Sequence, residues 1–125
     1  MRVRELVGGN VVWISPSATL REAAEVMTST DVGSVAVEVD GALEGILTER
    51  DILRAVADDA DFDRDPVSSW MTEYPDSFTP EMEVNEAADW MLATGYRHLP
   101  VVEGKSVLGV ISIKDVLWAL TEPGG

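Results

Sequence analysis

Gly45-Ile46-Leu47-Thr48-Glu49-Arg50-Asp51 and Gly109-Val110-Ile111-Ser112-Ile113-Lys114-Asp115 share one pattern. Each reads glycine, two apolar residues, a hydroxyl residue, two variable positions and an aspartate. The second stretch lies 64 positions after the first, and that offset brings many other residues into register without a gap. The chain is therefore built twice from one plan, and each copy carries the same hydroxyl-plus-carboxylate corner.

The first copy begins with Val3-Arg4-Glu5-Leu6-Val7 and a turn at Gly8-Gly9-Asn10. The apolar run Val11-Val12-Trp13-Ile14, stopped by Pro16, predicts a brief strand. Thr19-Leu20-Arg21-Glu22 is a capping box, in which threonine caps a helix and glutamate reaches back to it. Leu20, Ala23, Ala24 and Met27 fall at helical spacing behind it, and Gly33 is expected to break this helix. Val35, Val37 and Val39 alternate as in a half-buried strand, Asp40-Gly41 signals a hairpin turn, and Leu43 to Leu47 returns. Thr48 starts a second helix with Ile52, Leu53 and Val56 expected on its buried face.

Residues 58–66 hold five aspartates and a proline, which predicts a solvated linker with nothing to pack. Beyond it Val67-Ser68-Ser69-Trp70-Met71 matches the opening segment, and Ser77-Phe78 matches the first strand. Val84, Glu86, Ala87, Ala88 and Met91 match Leu20, Glu22, Ala23, Ala24 and Met27. Leu99 to Val102, Gly104-Lys105 and Val107 to Ile111 supply the second hairpin, and Asp115, Val116, Leu117 and Ala119 the last helix. The expected fold is α/β (α+β), two β-α-β-β-α repeats packed sheet to sheet with pseudo-twofold symmetry, because a unit of some 60 residues cannot bury its own sheet. The boundaries expected are residues 1–60, an acidic linker over 61–66, and residues 67–125.

Composition excludes several functions. The chain has no cysteine, so disulfides, thiolate catalysis and cysteine-held metals are ruled out. A net charge of −14 argues against nucleic acid and acidic membranes, since both need lysine and arginine against phosphate. No apolar run approaches the roughly 20 residues of a membrane span. Met1-Arg2-Val3-Arg4-Glu5 does not lead into the apolar core of a secretory leader, so a cytoplasmic protein is expected. Seven arginines against two lysines, Lys105 and Lys114, on so acidic a chain suit work in high salt, with an ordinary acidic protein as the alternative. His98 is the one histidine, with no nucleophile or second ligand to match it, so neither catalysis nor a metal site is expected.

The repeated features together resemble a tandem pair of CBS domains, a Bateman module. The carriers are the Thr19-Leu20-Arg21-Glu22-Ala23-Ala24 helix start with Met27, the run from Gly95 to Val102, and the two Gly-x-x-(Ser/Thr)-x-x-Asp corners. The resemblance covers nearly the whole chain. It implies a regulatory module, not an enzyme, that binds an adenosine-containing ligand such as AMP, ADP, ATP or S-adenosylmethionine in clefts between the domains. It also implies a homodimer and a regulated partner protein. A ligand-independent scaffold module is the alternative.

The physics of the corner fits that role. A helix starting at a strand end presents unpaired N–H groups and a positive dipole end, suited to phosphate or hydroxyl groups. A carboxylate one turn in can accept two hydrogen bonds from adjacent ribose hydroxyls. The same residues also read as capping boxes with aspartate for glutamate. The resemblance pairs each corner with the helix-to-strand junction of the other domain. Thr48 and Asp51 would face Tyr96, Arg97 and His98, while Ser112 and Asp115 would face Val32, Gly33 and Ser34. The Asp51 corner is accordingly expected to be the main nucleotide site, and the Asp115 corner to be weaker or to prefer an uncharged adenosyl group. Arg50 and Lys114 are candidate phosphate contacts, with magnesium held only through a nucleotide's phosphates. Trp90 and Trp118, on helices, are expected to supply the dimer faces, helped by the small Ala23-Ala24 and Ala87-Ala88 surfaces.

Overall fold

The computed structural model describes residues 1–8 and 11–121. Gly9 and Asn10, part of the first expected turn, lie outside the described residues. The chain forms two compact units, Val12–Pro75 and Met1–Val11 with Asp76–Gly125. The units are offset from the sequence repeats, because the opening segment of each repeat packs in the unit built mainly from the other.

In the Val12–Pro75 unit, β1 (Trp13–Ile14), β2 (Ser34–Val39), β3 (Ala42–Thr48) and β4 (Thr72–Glu73) form a sheet in that order. β1 runs parallel to β2, and the other neighbours are antiparallel. Two helices accompany the sheet, α1 (Leu20–Thr30) and α2 (Glu49–Ala57). Thr19 caps α1 through the expected box, its hydroxyl accepting from Glu22 N at 3.1 Å. The helix ends not at Gly33 but at Asp31, whose φ of 55° turns the chain left-handed. Ser34 to Val37 are all buried, so β2 is covered on both faces instead of alternating. Asp40 and Gly41, at φ 51° and 79°, make the hairpin turn.

The other unit repeats this with fewer strands. α3 (Val84–Thr94) ends at Gly95 with φ 82°, the position matching Asp31. β5 (His98–Glu103) and β6 (Ser106–Ser112) form a hairpin, and α4 (Ile113–Thr121) follows. Both hairpins carry an irregularity at matched places, Val37/Glu38 and Val101/Val102. Ser77-Phe78 forms no strand, but Phe78 makes a parallel bridge to Val101 that stands in for β1.

Matched residues show the exchange of opening segments. Val3 and Val67, each fully buried, lie in the cores of the C-terminal and N-terminal units respectively. Val3 N donates to Met82 O and Val67 N to Ala18 O, both at 2.8 Å. The motif glycines are seats for the same segments. A Cβ on Gly45 would stand 2.6 Å from Met71 Sδ, and one on Gly109 would stand 3.0 Å from Val7 Cβ.

Guanidinium groups fasten the surroundings. Arg4 pairs with Glu81 and Glu103 at 2.8 and 2.6 Å, and the Arg4 hydrogen bond holds the Glu81 carboxyl below its ordinary range. Arg21 pairs with Asp63 and likewise lowers its pKa by hydrogen bonding. The acidic stretch is therefore not a free linker. It returns along the start of α1, where Leu20 N donates to Asp65 O and Arg21 N to Phe62 O at 3.0 and 2.9 Å. These bonds answer two of the donors that a helix start leaves unpaired.

The outer helices depart from expectation in one respect. On α2 the buried residues are Asp51 and Ala55, whereas Leu53 and Val56 are 69% and 58% exposed. On α4 Val116 and Ala119 are buried, while Leu117, Trp118 and Leu120 are exposed. Among the described residues no helix is long and apolar enough to cross a membrane.

Candidate functional site

β3 runs directly into α2, so Thr48 is at once the last strand residue and the helix cap. Thr48 N donates to Asp51 Oδ2 at 2.8 Å, and Thr48 Oγ1 donates to the same oxygen at 3.1 Å. Thr48 Oγ1 in turn accepts from Asp51 N at 3.4 Å. The other carboxylate oxygen, Oδ1, accepts from Arg54 Nη2 one turn further along α2. Asp51 is only 1% exposed, which is unusual for an aspartate and is sustained by these donors. Both oxygens of the carboxylate expected to lead ligand binding are thus engaged within its own helix start.

The second corner has the same cap and a different continuation. Ser112 N donates to Asp115 Oδ2 at 2.8 Å, and Asp115 N donates to Ser112 Oγ at 3.1 Å. The position matching Arg54 is Trp118, which cannot reach a carboxylate with charge. Among the described residues Asp115 Oδ1 therefore accepts no hydrogen bond, and the Ser112 hydroxyl proton has no acceptor. Asp115 is also half-buried where Asp51 is sealed.

Each corner adjoins the junction of its own repeat. Glu49 N donates to Gly33 O at 3.0 Å and Ser34 pairs with Thr48 across β2 and β3, so Gly33 and Ser34 border Thr48. Ile113 N donates to Arg97 O at 2.8 Å and His98 pairs with Ser112 across β5 and β6. Val32 and Gly33 are half-buried and Ser34 is buried, whereas Tyr96 and Arg97 are exposed and His98 is half-buried. Arg50 and Lys114 are exposed on the first turns of α2 and α4. Asp51 and Arg97, expected to share a cleft, belong to different compact units.

An aromatic ladder leads to the second junction. Trp90 stacks on Tyr96 with centroids 5.8 Å apart, and Phe78 meets Trp90 edge-on at 5.7 Å. Trp90 is half-buried against the core, so of the two tryptophans expected at a dimer face only Trp118, at 56% exposure, is open. Arg54 is the residue sequence reasoning missed. Its signal was the three-residue spacing from Asp51 on a helix, where opposite charges meet.

The match of known proteins agrees with this architecture. The CBS-domain family model matches residues 3–58 and 67–122. A CBS domain-containing protein of Bacillus subtilis, YhcV, is 34% identical over 115 residues, 91% of this chain and 81% of that protein. The crystal structure of a CBS-domain-containing protein from Agrobacterium tumefaciens superposes with TM-score 0.90 at 32% identity, over 96% of this chain and 99% of that one. A CBS domain protein from Pyrobaculum aerophilum, complexed with AMP, superposes with TM-score 0.84 at 30% identity, covering 96% and 98%. This chain belongs to the CBS-domain family, as a pair of such domains, which is a regulatory module.

Proposed function

We propose that this CBS pair senses an adenosine-containing ligand, AMP, ADP, ATP or an S-adenosylmethionine-like molecule, and signals its presence to a partner protein. The observation that carries the reading is the duplicated corner, where a hydroxyl and a carboxylate stand together at the first turn of a helix. A helix start suits phosphate, and a carboxylate there suits ribose hydroxyls that displace or join the donors it already holds. The AMP complex of the Pyrobaculum protein supports the ligand class.

The ligand contacts proposed are Thr48, Asp51, Val32, Gly33 and Ser34 with Tyr96, Arg97, His98, Ser112 and Asp115. Arg50 and Lys114 serve the phosphates, and magnesium enters only with a nucleotide that carries it. A homodimer would use the exposed apolar residues of the outer helices, Leu53 and Val56 on α2 and Leu117, Trp118 and Leu120 on α4. Signalling requires the ligand to bind one arrangement of the protein more tightly than another.

Thermal shift with AMP, ATP, S-adenosylmethionine and adenosine tests the reading. A ligand at a hundred times its dissociation constant stabilises by about 2.7 kcal/mol. A flat response to every compound would leave the chain as a ligand-independent interaction module. A double-mutant cycle in AMP binding between Asp51→Ala and Arg97→Ala tests the pairing that the family pattern implies. Strict additivity would refute it.

A further inference from the structure

The glycine seats at Gly45 and Gly109 take chemically different side chains. Met71 lies on the first and Val7 on the second, at positions 64 apart in the repeat. A Cβ on Gly45 would stand 2.6 Å from Met71 Sδ, 3.0 Å from its Cγ and 2.9 Å from the Thr72 carbonyl oxygen. The thioether sulfur therefore lies against bare backbone, with no room there for one more heavy atom. The next residues, Thr72 and Glu73, are the whole of β4 and pair with Ile46 and Gly45 at the edge of the sheet. So short an edge strand opens at low cost, and Met71 is half-buried, so its sulfur meets solvent when the edge lifts. The chain has no cysteine to intercept an oxidant first. Of its five methionines, Met27 and Met91 are buried in the cores, Met1 is exposed, and Met71 and Met82 are half-buried.

We propose that Met71 is an oxidation-sensitive latch, whose conversion to the sulfoxide by a hydroperoxide releases the second opening segment from Gly45. The latch does not depend on any ligand at the corners. The thioether attacks the outer oxygen of the peroxide, and the S–O bond forms as the O–O bond breaks. Sulfur gives up two electrons, and the peroxide is reduced to water or an alcohol. The product fails in the seat for two reasons. Its oxygen needs space where the sulfur already touches the Gly45 backbone. It is also a strong acceptor, and the Thr72 carbonyl oxygen beside Gly45 is another, so the two repel. What loosens is β4 together with the edge of β3, the strand that ends at the Thr48 cap. Val7 has no group that a peroxide oxidises, so the latch belongs to one repeat alone.

Hydrogen peroxide treatment of the intact chain, with peptide mass mapping to place each added oxygen, is the test. Met1 should oxidise first, Met71 and Met82 next, and Met27 and Met91 last. Once Met71 carries its oxygen, Tm should fall by about 4 °C or more, whereas oxidation at Met1 alone should leave it unchanged. Exchange of the Tyr74 amide, which donates to Glu44 O across the same edge, should quicken in the oxidised chain. That of the Val102 amide, which donates to Phe78 O in the other unit, should not. Methionine sulfoxide reductase should restore the starting Tm, a reversal that needs no variant. Met71→Leu, which keeps the volume without the sulfur, should hold its Tm through the same treatment, and Met82→Leu should not protect. Complete oxidation of Met71 that leaves Tm and Tyr74 exchange unchanged would overturn the proposal. So would a fall in Tm that persists in Met71→Leu, or a Met71 that stays a thioether after Met1 and Met82 are both oxidised.

Discussion

The corner at Thr48 and the corner at Ser112 are made by the same local rule and end in different states. In each, a strand residue caps the following helix and an aspartate three positions on returns the hydrogen bond. Three residues further along the helix, Arg54 closes the first carboxylate while Trp118 leaves the second open. Capping therefore occupies one oxygen of each aspartate and leaves the other for a second partner. The cap uses one carboxylate oxygen, and the residue at the next turn decides whether the other is available.

The largest expected difference between the halves lies at the motif glycines. Gly45→Ala brings a Cβ within 2.9 Å of the Thr72 carbonyl oxygen, a backbone atom, as well as into Met71. It should destabilise by about 3 kcal/mol in urea unfolding. Gly109→Ala has the Val7 side chain as its nearest neighbour, at 3.0 and 3.1 Å, and should cost about 1 kcal/mol. Equal costs would show that the two seats are equally tight.

Next come the aspartates. Asp51→Ala strands the Thr48 N–H and hydroxyl in a sealed site and should cost about 2 kcal/mol. Asp115→Ala removes one capping bond at a half-buried site and should cost about 1 kcal/mol. A larger loss at Asp115 would invert the contrast between a sealed and an open corner.

The smallest effects belong to the exposed ion pairs that fasten each unit. The folded carboxyls of Glu81 and Asp63 lie below their ordinary values of 4.5 and 3.8, owing to hydrogen bonds from Arg4 and Arg21. A depressed carboxyl stabilises the fold above its unfolded pKa and loses that contribution as pH falls through the folded one. Glu81→Gln and Asp63→Asn should therefore be slightly less stable than wild type at neutral pH. They should converge with it in acid below the folded pKa values. Screening by solvent keeps both differences small. A gap between variant and wild type that persists in acid would mean the side chains act by packing.

Much of this was legible in the sequence because the repeat states it twice. Thr19 with Glu22, the Asp40-Gly41 turn and the two hydroxyl–aspartate corners act through neighbours within a few residues, and local chemistry is what a sequence displays. Leu53 and Val56 were misplaced for a different reason. Helical spacing identifies a face, but it does not say whether Ala55 or the larger residues beside it sit against the sheet. The small residue lies inside, and the apolar residues outside are left for another surface. The end of α1 was missed because aspartate at Asp31 does the work that glycine does at Gly95. The exchange of opening segments was invisible in principle. Val3 and Val67 are equivalent by repetition, so the pattern fits either partner equally well.

That exchange also sets an order of events during synthesis. Val12–Pro75 is continuous in the chain and has all its partners once residue 75 has emerged. The segment Met1–Val11 precedes that unit in the chain, yet its own unit is completed only by the chain from Asp76 onward. Val3 therefore waits, without its core, until the chain has passed through the whole of the other unit.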